Sequence, residues 1–292
     1  QIHSRLPFML RRQLTATILI NPIPFLSNHF RQKPSNVEQY TRGTGCPELI
    51  WWEKFEQPHT MQSSSIQNIL VPLDLSPFTD AATANACAIA RQHGALVEGL
   101  VVLDLPEIAG VDLPYHAWML PEALKLSEEL TIDAKKRISD AAMRFAAACE
   151  AQHIPHREAE FQGVPANCIL EAAAFHDLVV MGLRTFFHFE TRAEAGDSLA
   201  KVLHAPTAPV LAVPKHDDGN WKNVAIAFDG SPHACRALKD FARFAQPYSF
   251  DVTVLMSADD KERAQASLNS AAAYLRSHGV KDIKTVVDNR GI

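Results

Sequence analysis

The stretch "NILVPLDLSP" (Asn68–Pro77) decides how the fold of this chain is predicted. Its apolar run is typical of a buried strand, and Ser76 followed by Pro77 is typical of a helix start, with a capping serine and a proline at the first helical position. An alanine-rich amphipathic pattern then continues to about His93, where Gly94 ends it. The stretch therefore predicts a strand, a tight turn and a helix.

The alternation of strand and helix continues along the chain. Further strands are predicted at "LVEGLVVL", "HREAEF", "DLVVMG" and "APVLAVP", with helical patterns between them. Strands that alternate with helices favour a parallel sheet whose two faces are both covered. We therefore predict an α/β fold with an open five-stranded parallel sheet and helices on both faces.

The opening stretch occurs a second time, as "NVAIAFDGSP" at Asn223–Pro232. The offset of 155 residues links Asp74 with Asp229 and Ser76 with Ser231, and it holds into the next strand. The glycine that follows the third strand gives a smaller offset of 128. A constant offset across strand, turn, helix and strand indicates an internal repeat.

The repeat divides the chain into three parts. Residues 1–65 have no sustained periodicity, and we predict an irregular leader there, disordered or outside the working protein. Residues 66–215 form the first domain. Residues 221–292 form a second copy, which we expect to be truncated at its C-terminal end by about fifty residues.

Composition excludes several classes of protein. The 292 residues carry a formal net charge of -5 without a long basic block, so nucleic acid is not an expected partner. No apolar run approaches the roughly 18 residues of a transmembrane helix, so no membrane association is expected. The cysteines are scattered without a C-x-x-C pair, which disfavours a zinc site or a disulfide framework and favours the cytoplasm. They are Cys46, Cys87, Cys149, Cys168 and Cys235.

Three motifs together resemble the universal stress protein family in its tandem two-domain form. They are "ILVPLDLSP", "VVMG" followed at a distance by "GDSLAKVLHAPTAPVLAVP", and the second "VAIAFDGSP". The resemblance covers residues 66–292 and implies a Rossmann-like sheet in a small cytoplasmic stress-response protein without an assigned catalytic reaction. Members of the family commonly pair through the last strand of the domain. We therefore expect a homo-oligomer through Val210–Val213, where unpaired edge groups invite a partner strand.

The resemblance also implies a nucleotide pocket at the carboxyl ends of the strands, because some members of the family bind ATP. In those members the aspartate that matches Asp74 helps to hold the nucleoside. From the residues alone, Asp74 and Ser76 cap the following helix, and nucleoside contact is an additional role. The cofactor-binding positions implied by the match are Pro72, Asp74, Val102, Met181, Gly182, Gly196 and Ser198.

The phosphate end departs from the pattern of the ATP-binding members, G-x-x-G, nine residues, then glycine and serine or threonine. Here Thr185 replaces the second glycine and Gly196 is displaced by one position. Asp197 places a carboxylate at the helix start, where it competes for the N–H groups and repels a triphosphate. Arg184 and Arg192 offset part of that charge. We predict a degenerate site with no certain cofactor, and ATP or AMP are the alternative ligands.

Three functions remain open. The first is a non-enzymatic stress-response binding or interaction protein, and the second is an ATP- or AMP-regulated switch or weak ATPase. The third is a carrier of a small apolar ligand, held near a set of aromatic residues. No catalytic or metal-binding residues are predicted, because a P-loop and a G-x-S-x-G turn are absent and the histidines lack evident partners. The aromatic set is Tyr115, Trp118, Phe186, Phe187 and Phe189.

Overall fold

The computed structural model describes the chain between residues 66 and 288, with several gaps. The described residues are 66–74, 76–103, 120–185, 187, 198–205, 207–217, 219 and 221–288. The leader predicted over residues 1–65 lies outside them, and its irregular character stays a prediction.

The first domain contains the predicted five-stranded sheet. All of its strands are parallel, and their order is β3-β2-β1-β4-β5. The open five-stranded parallel sheet is therefore confirmed. The strands are β1 (Asn68–Leu73), β2 (Leu96–Leu103), β3 (His156–Gln162), β4 (Leu178–Gly182) and β5 (Val210–Val213).

Helices cover both faces of this sheet, as the alternating pattern predicts. Residues of the first two helices, including Ile89 and Phe145, share one buried cluster with β1 and β2. Residues of the other two, including Ile169 and Val202, share a second buried cluster on the opposite face. The helices are α1 (Pro77–His93), α2 (Leu120–Ala151), α3 (Pro165–Ala173) and α4 (Ser198–His204).

Helix α1 begins and ends at the residues that the sequence indicates. The Ser76 side chain accepts a hydrogen bond from the Phe78 N–H at 3.3 Å, and Pro77 is the first helical residue. Gly94 takes the left-handed conformation with φ 71°, and its N–H donates to the Ala90 carbonyl at 2.8 Å. A side chain at Gly94 would be strained in that conformation.

A partial second copy of the fold follows. Its sheet has three parallel strands in the order β6-β7-β8, and two helices connect them. The second copy predicted from the repeat is therefore present as a second sheet. The elements are β6 (Asn223–Ala227), α5 (Pro232–Phe244), β7 (Asp251–Ser257), α6 (Lys261–Ser277) and β8 (Asp282–Asp288).

Strand register corrects one detail of the repeat. Val97 pairs with His156 in the first sheet, and its counterpart Val252 pairs with Ile283 in the second. The third strands are therefore related by 127 residues (283 minus 156), one fewer than the 128 expected. The offset of 128 relates the glycines that follow the two strands, whereas 127 relates the paired residues within them.

Aromatic side chains pack the second copy against the end of α1. The ring of His93 lies 6.0 Å from the Phe244 ring and 5.9 Å from the Tyr248 ring, and Trp221 lies 6.0 Å from Phe244. An ion pair lies beside α5, where a guanidinium nitrogen of Arg243 is 3.3 Å from an Asp177 carboxylate oxygen. These contacts, with the shared buried cluster, explain why the two copies form one core.

Candidate nucleotide site

Asp74 lies at the carboxyl end of β1, where ligands bind in open parallel sheets. Its side chain is buried, and Oδ1 accepts hydrogen bonds from the Ser76 N–H at 2.8 Å and the Thr79 hydroxyl at 2.6 Å. The Thr79 hydroxyl also accepts from the Asp74 N–H at 3.1 Å. The carboxylate is thus bound to the first turn of α1, as the capping interpretation expects. The contribution of Thr79 was not predicted, although the threonine five residues after the aspartate was visible in the sequence.

The second copy repeats this turn in a more exposed form. Asp229 Oδ1 accepts from the Ser231 N–H at 2.8 Å, and the Ser231 hydroxyl accepts from the Ala234 N–H at 3.1 Å. Hydrogen bonds that the Ser231 hydroxyl and the Ser231 N–H donate to the Asp229 carboxylate lower the pKa of Asp229, since they favour its ionised form. At the repeat offset, Ala234 takes the place of Thr79, so the second turn lacks the hydroxyl contact.

The apolar positions implied by the resemblance lie at the same edge of the sheet. Pro72 is near the end of β1, Val102 near the end of β2 and Met181 near the end of β4, and all three are buried. Val102 and Met181 belong to one buried cluster. The fold therefore brings these predicted residues together, but their side chains are part of the core.

Phe187 is the residue that most changes the interpretation of this edge. Its side chain is only 1% exposed and belongs to the cluster that contains Val102, Met181 and Val202. The ring thus lies among core side chains of β2, β4 and α4. A large ring is therefore buried in the apolar cluster of the candidate nucleoside pocket.

Gly182 ends β4 and lies against the start of α1. A Cβ atom added to this glycine would lie 2.5 Å from the Phe78 Cβ and 3.0 Å from the Arg184 carbonyl oxygen. Both distances are too short for a side chain to fit without movement. Close packing of α1 on β4 is therefore sufficient to require glycine here, with or without a nucleotide.

Of the residues assigned to the phosphate end of the candidate site, the structure describes Arg184, which is exposed, Thr185 and Ser198. Thr185, which replaces the second glycine of the motif, is buried with 2% exposure. Ser198 is the first residue of α4 and is also buried. Gly196 and Asp197 lie outside the described residues, as do Arg192 and the aromatic residues Tyr115, Trp118, Phe186 and Phe189.

The described residues contain neither a cluster of metal ligands nor a membrane-spanning helix. No group of three or more histidine, cysteine, aspartate or glutamate side chains there could hold a metal ion. Among the helices of that part of the chain, none is both long and apolar enough to cross a bilayer.

The universal stress protein family model matches residues 65–214, about half of the chain and all five strands of the first sheet. The chain belongs to the universal stress protein family. No curated protein matches it. The comparison with solved structures adds to the assignment of the fold.

Solved structures similar to this universal stress protein include one from Archaeoglobus fulgidus. It is 18% identical, with a TM-score of 0.51, and the match covers 76% of this chain and 79% of that one. A universal stress protein from Lactobacillus plantarum is 25% identical, with a TM-score of 0.36 and coverage of 51% and 99%. A third, a universal stress protein in complex with cAMP, is 18% identical, with a TM-score of 0.31 and coverage of 52% and 100%. The first of these supports the Rossmann-like fold.

Proposed function

We propose that this universal stress protein is a non-enzymatic binding or interaction protein whose nucleotide site is filled by its own side chains. The observation that carries the proposal is the burial of Phe187 in the cluster with Val102 and Met181. In that arrangement, an adenine ring can enter the apolar pocket only after the phenylalanine leaves. Burial of a ring of this size contributes on the order of 2–3 kcal/mol, which a nucleotide must replace.

The polar side of the pocket supports the same conclusion. Asp74 Oδ1 already accepts from the Ser76 N–H and the Thr79 hydroxyl. A ribose hydroxyl that donated to this oxygen would compete with two short hydrogen bonds within the protein. The carboxylate therefore has a structural role that requires no ligand.

The phosphate side lacks the backbone freedom that a triphosphate site needs. A nest of inward N–H groups depends on conformations that glycine adopts easily, and Thr185 has a side chain that is buried. Asp197 adds a negative charge in the sequence just before Ser198, the start of α4. Both features act against binding of phosphate.

A nucleotide-regulated switch is the second candidate, and the topology favours it. Pro72, Asp74, Met181 and Gly182 lie at the carboxyl ends of neighbouring strands, the place where this fold class binds ligands. In this alternative, the Phe187 side chain occupies the pocket when no nucleotide is bound, and ATP or AMP displaces it. The third hypothesis is a carrier of a small apolar ligand held near the aromatic set. The burial of Phe187 does not favour it, because this ring already belongs to the core.

The nucleotide content of the purified protein distinguishes the first two functions. The full chain is purified without added nucleotide, denatured, and its supernatant is analysed by mass spectrometry and ultraviolet absorbance. We expect less than about one adenine nucleotide in ten protein molecules, since the pocket is already occupied. ATP or AMP in a ratio near one to one would contradict the proposal and support the switch.

A further inference from the structure

Two cysteines from different helices touch in the core of the first domain. Cys87 lies on α1 and Cys149 near the end of α2, and their Sγ atoms are 3.6 Å apart. Both side chains are fully buried in the same cluster. In the sequence the two cysteines are separated by 61 residues, so their spacing alone does not indicate this contact.

The surroundings of the pair make the two thiols unequal. A hydrogen bond from the Cys149 thiol lowers the pKa of Cys87, burial opposes that shift, and the positive charge of Arg91 assists it. The pKa of Cys149 is raised, chiefly because its proton is held by Cys87. Arg91 is fixed across the helix pair, because its guanidinium donates to the Gln152 side-chain oxygen at 2.7 Å. Cys87 is therefore the better nucleophile of the two.

We propose that Cys87 and Cys149 form a reversible intramolecular disulfide when the protein encounters a peroxide. In the first step the Cys87 thiol gives up its proton, and the resulting thiolate attacks one oxygen of hydrogen peroxide. The O–O bond breaks, Cys87 becomes a sulfenic acid, and the hydroxide that is released takes up the Cys87 proton and leaves as water. In the second step the Cys149 sulfur attacks the Cys87 sulfur, the S–O bond breaks, and the second water leaves with the Cys149 proton. One peroxide is reduced, and two thiols are oxidised to one disulfide.

Among the described cysteines, the short distance between the Sγ atoms distinguishes Cys87 and Cys149 as the pair that can form this disulfide. Cys168 is buried in the cluster on the opposite face of the sheet, away from the pair. Cys235 lies on α5 of the second copy and is partly exposed. The sulfurs of Cys87 and Cys149 need to approach by only about 1.5 Å to reach bonding distance. The disulfide joins α1 to α2 and constrains the unfolded chain, so the oxidised protein melts at a higher temperature.

The test uses the full chain with Cys46, Cys168 and Cys235 replaced by serine. The folded protein is treated with hydrogen peroxide. The dose is the one that fully oxidises Cys235 in the chain without substitutions. The protein is then denatured in excess alkylating reagent and digested without a reductant. We expect both thiols to be lost, a peptide pair linked through Cys87 and Cys149, and a higher melting temperature. A reductant should restore two alkylatable thiols.

Replacing Cys149 by alanine in the same background is the matched control. This variant keeps Cys87 but has no resolving thiol, so no linked peptide and no rise in melting temperature are expected after peroxide. The proposal is overturned if the protein that contains both Cys87 and Cys149 is still fully alkylated at both cysteines after peroxide treatment. It is equally overturned if Cys87 advances to a sulfinic acid while Cys149 remains a free thiol.

Discussion

The Cβ atom of Phe78 lies 2.5 Å from the point that a Cβ atom on Gly182 would occupy. Gly182 matches a nucleotide-pocket position of the family, but this contact gives it a role in packing α1 on β4. Gly182→Ala should therefore destabilise the protein by about 2 kcal/mol through overpacking. The shift of the urea unfolding midpoint at constant slope measures the loss.

A pair of second-site variants isolates the cause. Phe78→Ala keeps the Cβ atom that is in the way, so Gly182→Ala should cost nearly as much in that background. Phe78→Gly removes the atom, and the additional cost of Gly182→Ala should shrink there. An equal cost in both backgrounds would show that the Phe78 contact is not the reason for the glycine.

The burial of the His93 ring predicts that the free energy of unfolding falls in mild acid. Both ring nitrogens are buried, and neither makes a hydrogen bond of good geometry to a described residue. Burial lowers the pKa of His93 below its ordinary value of 6.5, and the Phe244 backbone offsets part of that shift. As the pH falls below 6.5, the unfolded chain takes up this proton before the folded protein does. This contribution to stability is therefore complete above pH 6.5 and is lost progressively below it.

The comparison with His93→Phe separates this residue from the other titrating groups. Phenylalanine keeps a ring beside Phe244 and Tyr248 but cannot take up a proton. Unfolding free energies are measured in urea from about pH 7.5 to 5 for both proteins. We expect the parent to lose more stability than the variant over this range, and parallel curves would rule out His93 as a source of the loss.

The outer edge of β5 predicts self-association. Val179 donates to the Pro209 carbonyl and Leu183 to the Val213 carbonyl, so by alternation the backbone groups of Val210 and Ala212 face away from β4. No other strand of the described residues pairs with that edge. We predict that the protein is a dimer or larger through Val210–Val213, as the resemblance implies.

A proline at this edge tests the association without exchanging a core side chain. Leu211→Lys is a poor test, because Leu211 is buried and packs in the core of the first domain. Ala212→Pro removes one outward N–H group, whereas Ala212→Ser changes the side chain and keeps it. We expect Ala212→Pro to sediment as a monomer with its helix content retained, while Ala212→Ser and the parent sediment as a dimer or larger. An unchanged dimer in Ala212→Pro would place the interface elsewhere.

The fold could be predicted from the sequence because its signals are local and repeated. The alternating strand and helix patterns, the serine cap with its proline, and Gly94 each depend on residues that are neighbours in the chain. The second copy was predictable because the offset of 155 recurs through strand, turn and helix. The match between the two copies gives the order of the elements, but it leaves the register between their third strands, β3 and β8, undetermined by one residue.

The candidate site was predicted less completely, because its contacts join residues that are distant in the sequence. Phe78 against Gly182, and Phe187 with Val102, depend on how a helix or a loop is placed on the sheet. The match to the family motif places Gly182 at a pocket position, but it cannot show which atoms occupy the space beside this glycine. The hydrogen bond from the Thr79 hydroxyl to Asp74 depends on the geometry of the helix start in the same way.

Calorimetric titration of ATP tests the central claim, that side chains of the protein occupy its nucleotide site. The parent chain is compared with a variant that carries Phe187→Ala, Thr185→Gly and Asp197→Gly, after circular dichroism shows that the variant is folded. We expect no saturable binding by the parent below about 1 mM ATP, and binding at least about tenfold tighter by the variant. Saturable ATP binding by the parent in the micromolar range, unchanged or weakened in the variant, would contradict it.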